Sequence, residues 1–156
     1  DTPILYEYLT GIQYLHFVAD IYDLNEIVRK ERIEEYAKAF ELYDDLSNLI
    51  SSYSLGMKQK LVLIGAFMRD PKLYVLDEPF VGLDPKATYT LKELLKKKAS
   101  EGKIIFFSTH VLDVAEKVCS RIAIIKEGKI IVDGDMDRVI KNKSLEQIFM
   151  ELVVDE

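Results

Sequence analysis

Residues 73–79 read LYVLDEP, an apolar run that ends on two acids and is bracketed by Pro71 and Pro79. No other stretch limits the fold as tightly. An apolar run of about four to eight residues between turn signals is too short for a helix and suits a strand buried on both faces. Such strands belong to parallel sheets, and a parallel partner has to be reached by a crossover. The sequence supplies one. Asp84-Pro85 opens a helix, with Pro85 suited to its first turn, that runs to about Ala99. Gly102 interrupts it, and KIIFFST (103–109) reads as a second buried strand. Strand, helix, strand in this order predicts a right-handed parallel unit.

The first half reads helical. Leu5, Leu9, Ile12, Leu15 and Phe17 recur at helical spacing through about residue 23. Asn25 caps a second helix carrying Ile27, Ile33, Tyr36, Ala37 and Phe40, which ends near Asp44 or Asp45. A third starts after Ser54, buries Leu61, Ile64, Gly65 and Met68, and ends at Asp70-Pro71. Beyond the parallel unit, a short helix from about Val111 to Cys119 leads to RIAIIK (121–126). Glu127-Gly128 turns that strand into KIIVDG as a hairpin. The tail SLEQIFMELV is an amphipathic helix with Ser144 as its cap. The aromatic residues Tyr6, Tyr14, Phe17, Tyr36 and Phe40 read as core and inter-helix packing, and Lys96, Lys97 and Lys98 as a solvated helix face.

Composition narrows the function classes. The chain has 156 residues, 27 acids against 21 bases and a net charge of -6, which argues against a non-specific nucleic-acid binder. Apolar runs are far shorter than the roughly 20 residues a spanning helix needs. One cysteine, Cys119, excludes an intrachain disulfide, and with two separated histidines it argues against a structural zinc site and fits a reducing cytosolic setting. No signal peptide is visible. The chain opens abruptly on Asp1 rather than Met, so a missing upstream segment is expected.

Four places carry chemistry. Asp77 and Glu78 end a strand at the carboxyl edge of a parallel sheet, where open α/β sheets bind ligands. Asp77 can hold Mg²⁺ directly or through water. Glu78 can orient or deprotonate an attacking water, a contribution of about 10²–10⁴ in rate. Alone, such an acid pair more often simply meets solvent. In SYSLGMKQ (52–59), Ser54 stands at a helix N-terminus whose free N–H groups suit a phosphate, and Gly56 lets a ligand approach closely; alone, it is an ordinary capped helix. Asp84 in GLDP is an N-cap. His110 follows the strand IIFFST at the same edge and can donate a hydrogen bond to a phosphate oxygen. His16 reads as a partly exposed side chain.

In combination and in this order, SYSLGMKQ, LYVLDEPFVGLDP and FSTH resemble the ABC ATPase family over nearly the whole chain. They match its signature motif, Walker B strand, D-loop and switch histidine. The opening LYEYLTGIQYLHFVADIYDL and the closing RIAIIKEGKIIVDG also look like the ATP-binding subunits of bacterial multidrug or peptide exporters. At the positions of the usual LSGGQ stand Tyr53, Ser54, Leu55, Gly56 and Met57, so serine and the second glycine survive and Met57 replaces the Gln.

The phosphate-cradling pattern G-x-x-x-x-G-K-[S/T] is absent. Ile follows both Gly102-Lys103 and Gly128-Lys129, and Lys97 and Ala123 stand where the first glycine belongs. The chain starts just after the point where the family places its Q-loop. The resemblance implies a P-loop NTPase type of α/β fold with an incomplete, mainly parallel sheet and an α-helical subdomain. Its parts are a helical subdomain with the signature helix (1–70), a catalytic-core part (71–135) and a C-terminal helical tail (136–156). The family's P-loop strand lies between strands that here correspond to 103–108 and 121–126, so these two are expected not to pair.

For function, the resemblance implies a parent that binds and hydrolyses MgATP in a head-to-tail dimer with a second, identical or different, ABC ATPase subunit. Ser54 and Gly56 would contact the γ-phosphate held by the partner's P-loop. Asp77 would position Mg²⁺, Glu78 polarise the water, His110 sense the γ-phosphate and Asp84 couple the two sites. Dimer closure would move a separate transmembrane permease, with Pro3 to Tyr8 as one edge of the contact, at the cytoplasmic face of the membrane. Nucleic acid is not an expected partner. Without a P-loop, this chain alone is expected to be inactive. The competing reading is a non-catalytic module that binds a partner ATPase or a membrane subunit.

Overall fold

Helix starts in this chain are set by short polar side chains that accept from the backbone N–H groups a first turn leaves over. The computed structural model describes residues 4–141 and 143–154. Thr10, Asn25, Ser54 and Asp84 each accept from a backbone N–H of the helix they precede: α1 (Gly11–Ile21), α2 (Glu26–Ala39), α3 (Leu55–Phe67) and α4 (Pro85–Ser100). Three of these caps fall where the sequence predicted them. The first does not, since the helix begins at Gly11 and leaves Leu5 and Leu9 outside it. The backbone there pairs with residues 48–50 instead: Ile50 N–H donates to Leu9 O at 2.9 Å and Gly11 N–H to Asn48 O at 3.2 Å. Thr10 and Gln13 then close a reciprocal capping box that fixes the start. Helix α2 stops earlier than predicted, because Glu41 takes a left-handed φ of 52° and Tyr43–Asp45 forms a separate 3-10 turn.

The chain divides into two compact units with the boundary between Ser108 and Thr109. In the first, α1, α2 and α3 pack together around Leu15, Ile33, Phe40, Leu61, Ile64 and Phe67, all buried. Ile27, predicted to be half-buried, is exposed. The Phe67 ring lies 5.8 Å from that of Tyr36 and 5.2 Å from that of Tyr74, joining the helices to the sheet. That sheet is a parallel pair, β1 (Leu73–Leu76) with β2 (Ile104–Phe107), in register Leu73 to Ile104 through Leu76 to Phe107. Helix α4 is the crossover between them. The prediction that both strands are buried on both faces is corrected here. Tyr74 is buried, but Val75 is 67% exposed and Ile104 and Phe106 are each 65% exposed. Side chains alternate across a pleated pair, and among the described residues only one face is covered.

The second unit holds α5 (Leu112–Val118), the antiparallel hairpin β3 (Arg121–Lys126) and β4 (Lys129–Asp135), α6 (Met136–Ile140) and α7 (Leu145–Val154). Ala115, Ile124, Met136 and Leu145 form its core. Ser144 caps the last helix as predicted, accepting from Gln147 N–H at 3.2 Å. Strand β2 lies in the sheet of the first unit and β3 in that of the second.

One charge cluster ties the first unit together at the N-terminal ends of β1 and β2. Lys98 Nζ donates to Asp70 Oδ1 at 2.8 Å and to Glu101 Oε2 at 3.2 Å; Lys103 Nζ donates to Asp70 Oδ2 at 3.1 Å. The solvated reading of the lysine run therefore fails at Lys98, which is only 6% exposed, while Lys96 and Lys97 are exposed. Lys98 shares a helix face with the buried Leu91 and Leu95, a spacing that carries it inward. Partial burial opposes ionisation of Asp70, but the two ammonium groups outweigh it and hold the carboxyl at about 2.

A carboxyl lowered from 3.8 to about 2 stabilises the folded state above the unfolded value and loses that contribution as pH falls through the folded one. Asp70→Asn removes the charge yet tolerates the left-handed φ of 50° at this position. It is expected to lower stability by about 2 kcal/mol at neutral pH. Urea unfolding at stepped pH checks this: the gap from the unsubstituted chain should shrink steadily between pH 4 and pH 2.

Candidate functional site

Strand β1 delivers Asp77 and Glu78 beyond its carboxyl end, and the end of β2 holds them there. Ser108 N–H donates to Leu76 O at 3.0 Å, its hydroxyl donates to Asp77 Oδ1, and Glu78 N–H donates to the same hydroxyl oxygen at 3.0 Å. Three consecutive residues are thus bonded by one serine. Glu78 carries a left-handed backbone, φ 43°, a conformation that costs a non-glycine residue about 1–3 kcal/mol and persists only where the surroundings fix it. Phe80, buried behind the pair, packs edge-on against Phe107 of β2 with ring centres 5.7 Å apart.

The segment 77–84 is bound as closely to the start of α3. Ser54 accepts from Met57 N–H at 3.2 Å, as a cap should. Gln59 Nε2 donates to Pro79 O at 3.2 Å, and Lys60 Nζ lies 2.7 Å from Asp84 Oδ2. Asp84 caps α4 by accepting from Ala87 N–H at 2.8 Å. The hydrogen bond from Lys60, then that from Ala87, holds its carboxyl below the usual range. At Gly56 a Cβ would stand 2.7 Å from Gly82 O, and Gly82 itself has φ 76°. The sequence explained Gly56 by ligand approach. Within this chain the backbone of Gly82 makes a close approach that requires glycine at 56, and its positive φ favours glycine at 82.

Every site residue that the sequence singled out before Ser108, namely Ser54, Gly56, Asp77, Glu78 and Asp84, lies in the first unit and is reached by one of these bonds or close approaches. His110 belongs to the second unit, exposed at the bend before α5, where Val111 N–H donates to Thr109 Oγ1 at 3.1 Å. His16 is exposed, as expected, and lies 3.4 Å from the Arg29 guanidinium. Sequence reasoning missed the parts of Ser108, Lys60 and Gln59. Their only signals were a hydroxyl at a strand end and polar residues one turn into α3.

A groove of about 680 Å³ also opens in the first unit, lined by Tyr6, Phe17 and Tyr22, by Arg69 and by Asp77 and Glu78. Tyr6 and Phe17, read from the sequence as packing residues, meet edge-on at 5.5 Å but remain 49% and 41% exposed. Tyr36 and Phe40 are buried as predicted.

Among the described residues no three His, Cys, Asp or Glu side chains come together as a metal cage. One carboxylate does fit Mg²⁺, which takes oxygen donors, one or two of them from protein, and keeps water and phosphate as its remaining ligands. Asp77 has one oxygen committed to Ser108, which leaves Oδ2 as a donor.

Residues 8–112 match the family model described as "AAA domain, putative AbiEii toxin, Type IV TA system". An uncharacterized ABC transporter ATP-binding protein of Nostoc sp. is 35% identical over 92% of this chain and 44% of its own length. The ABC-type transporter ATP-binding protein EcsA of Bacillus subtilis is 32% identical over 100% of this chain and 65% of its own. A solved ATP binding subunit of an ABC transporter superposes with a TM-score of 0.92 at 36% identity, covering 97% of this chain and 65% of that one. The chain belongs to the ABC transporter ATP-binding protein family. Its residues 8–112 fall within the AAA domain model, and its fold is that of the ABC ATPases, a P-loop NTPase fold. A second solved relative is CbiO1 from Clostridium perfringens, part of the ABC transporter complex cbiONQ. It matches with a TM-score of 0.69 at 25% identity over 94% of this chain and 59% of its own. The chain spans about two fifths to two thirds of the length of these ABC relatives.

The Gly56–Gly82 approach makes a checkable demand. Gly56→Ala forces a Cβ against a backbone oxygen 2.7 Å away and is expected to cost about 1–3 kcal/mol. Chemical denaturation of the two forms compares them directly. Equal midpoints would mean that the start of α3 and the loop at Gly82 are not held at this distance.

Proposed function

We propose that this chain is the part of an ABC transporter ATPase subunit that carries the signature helix and the catalytic acids. The whole subunit would bind and hydrolyse MgATP in a head-to-tail dimer to power export across a membrane. The observation that carries this reading is the Asp77–Glu78 pair, held by Ser108 at the carboxyl end of a parallel strand and joined through residues 79–84 to the N-terminus of α3.

The roles are those the family resemblance implies, and the placement of the residues supports them. Asp77 offers a carboxylate oxygen to Mg²⁺, which when bound neutralises charge on the phosphates. Glu78 takes the proton of, or orients, the water that attacks the γ-phosphate. Ser54 and Gly56, at the N-terminus of α3, present backbone N–H groups to the γ-phosphate of the nucleotide on the partner subunit. Asp84 couples the two sites, fixed by Lys60. His110 donates to the γ-phosphate from its bend. The functional division is a helical subdomain over 1–70, a catalytic-core part over 71–135 and a helical tail over 136–156.

The partners are a second ABC ATPase subunit, identical or different, and a separate transmembrane permease. No helix among the described residues is long and apolar enough to cross a membrane, so the pore has to come from another segment or another chain. The permease docks at the helical region beside the groove, where Ile4 and Tyr8 are exposed; Pro3, the other end of that expected edge, lies outside the described residues. One relative, SkfE of Bacillus subtilis, is a SkfA peptide export ATP-binding protein, 37% identical over 85% of this chain and 56% of its own. We assign this chain to the same kind of task, at the cytoplasmic face of the membrane.

The absence of G-x-x-x-x-G-K-[S/T] from residues 1–156 favours a second reading, a module that binds an ATPase or permease without turnover. Two measurements separate them. In the full-length subunit, Glu78→Gln is expected to lower ATP turnover by about 10²–10⁴ while nucleotide still binds; unchanged turnover removes Glu78 from its role. Calorimetry of MgATP against residues 1–156, with intact mass checked on the same sample, is expected to show no binding. Tight binding at that mass would mean that these residues form a nucleotide site of another kind.

A further inference from the structure

We infer that Ser108 is a positioning residue of the hydrolytic site: its hydroxyl fixes both the metal-binding carboxylate of Asp77 and the strained backbone of Glu78. The inference rests on the proposed ATPase reading and adds a residue that reading does not contain. A hydroxyl can donate one hydrogen bond and accept others at the same time. Ser108 uses both capacities on neighbouring residues, donating to Asp77 Oδ1 and accepting from Glu78 N–H at 3.0 Å. The Asp77 bond is charge-assisted, which makes it the stronger of the two and gives the carboxylate a preferred rotamer. The second satisfies the N–H of a residue whose φ of 43° is unfavourable for glutamate. The Ser108 main chain is itself fixed, through the β1–β2 register and its own N–H on Leu76 O at 3.0 Å.

Ser108 is the last residue of the first unit, and His110 stands two residues further on in the second. The bond pattern is specific to a β-hydroxyl. Ala at this position loses both bonds, whereas Thr retains the same oxygen on the same carbon.

The test uses Ser108→Ala and Ser108→Thr in the full-length subunit, with Glu78→Gln in parallel. Three readouts are taken: amide hydrogen exchange at Glu78, Mn²⁺ affinity in the presence of ATP, and kcat and KM for ATP. In the Ala variant the Glu78 amide should exchange about three- to tenfold faster and Mn²⁺ should bind about tenfold more weakly. Its kcat should fall while the KM for ATP stays within about twofold, since the inference places Ser108 on the acid pair and not on the nucleotide. The Thr variant should restore all three. Unchanged exchange and unchanged Mn²⁺ affinity in the Ala variant would overturn the inference, even if turnover fell. If Ser108→Ala is silent but Glu78→Gln abolishes turnover, the inference fails and the ATPase reading stands. If Glu78→Gln is silent as well, the reading itself fails.

Discussion

The packing of the site depends on two glycines meeting backbone to backbone. Gly56 in the first turn of α3 and Gly82 in the loop after β1 approach so closely that a single methyl group would collide with a carbonyl oxygen. That distance aligns the side chains of both segments. Gln59, one turn into α3, can then reach Pro79 O, and Lys60 can reach Asp84. Asp84 is also the N-cap of α4, so one carboxylate answers to a lysine from one helix and the first turn of another. Helix α3, the loop 77–84 and the crossover helix α4 therefore form one mechanical piece. On the proposed function, a nucleotide that pulled on Ser54 would pull on Asp84 and on the acid pair with it.

Strand β1 is only four residues long and, among the described residues, has one strand for a neighbour. Two-stranded sheets are marginal without further support. Here the support is placed at the ends. At the N-terminal end, Asp70 receives Lys98 and Lys103, and Lys98 is too buried for its charge to stand without a partner. At the carboxyl end, Ser108 bonds residues 76, 77 and 78 in turn. Between the ends, Tyr74 fills the helical side against Phe67. Separating the two kinds of anchoring places the salt-bridge cluster at one end of the strand and leaves the other for carboxylates that, on the proposed function, meet a metal and a water.

Much of this was legible in the residues, and the reasons are local. Asn25, Ser54 and Asp84 cap helices because short polar side chains in those places have one obvious use. The apolar run before the acid pair marked a strand. What escaped was whatever depends on a partner distant in the chain. Leu9 has helical spacing, but its carbonyl is claimed by Ile50, some forty residues on. Lys98 reads as one of three solvent lysines until Asp70 is seen to face it, although its spacing from Leu91 and Leu95 already placed it on the inner side of α4. The approach of Gly82 to Gly56 had no signal in the sequence, and Ser108 looked like the polar end of a strand. Burial of both faces of β1 and β2 was an inference from composition alone, and alternation across the pleat decides otherwise for Val75, Ile104 and Phe106.

On the proposed function, the chemistry of the acid pair also explains why the residues for hydrolysis need not be those that hold the nucleotide. Asp77 and Glu78 are adjacent anionic groups in a chain whose net charge is -6. A phosphate oxygen about 4 Å from such a carboxylate is repelled by about 4 kcal/mol at an effective dielectric constant near 20. A helix N-terminus such as that of α3 returns about 0.3–1 kcal/mol, or somewhat more where it is partly buried. The balance favours a triphosphate only after a divalent cation and an independent cradle of N–H groups and a lysine have met its charge. The carboxylates can then discriminate: they are tolerated while charge is shared with the cation, and they act when the attacking water gives up its proton. On this account a site divided between a cradle on one surface and acids with a signature helix on another is the arrangement that lets hydrolysis wait for both surfaces to close.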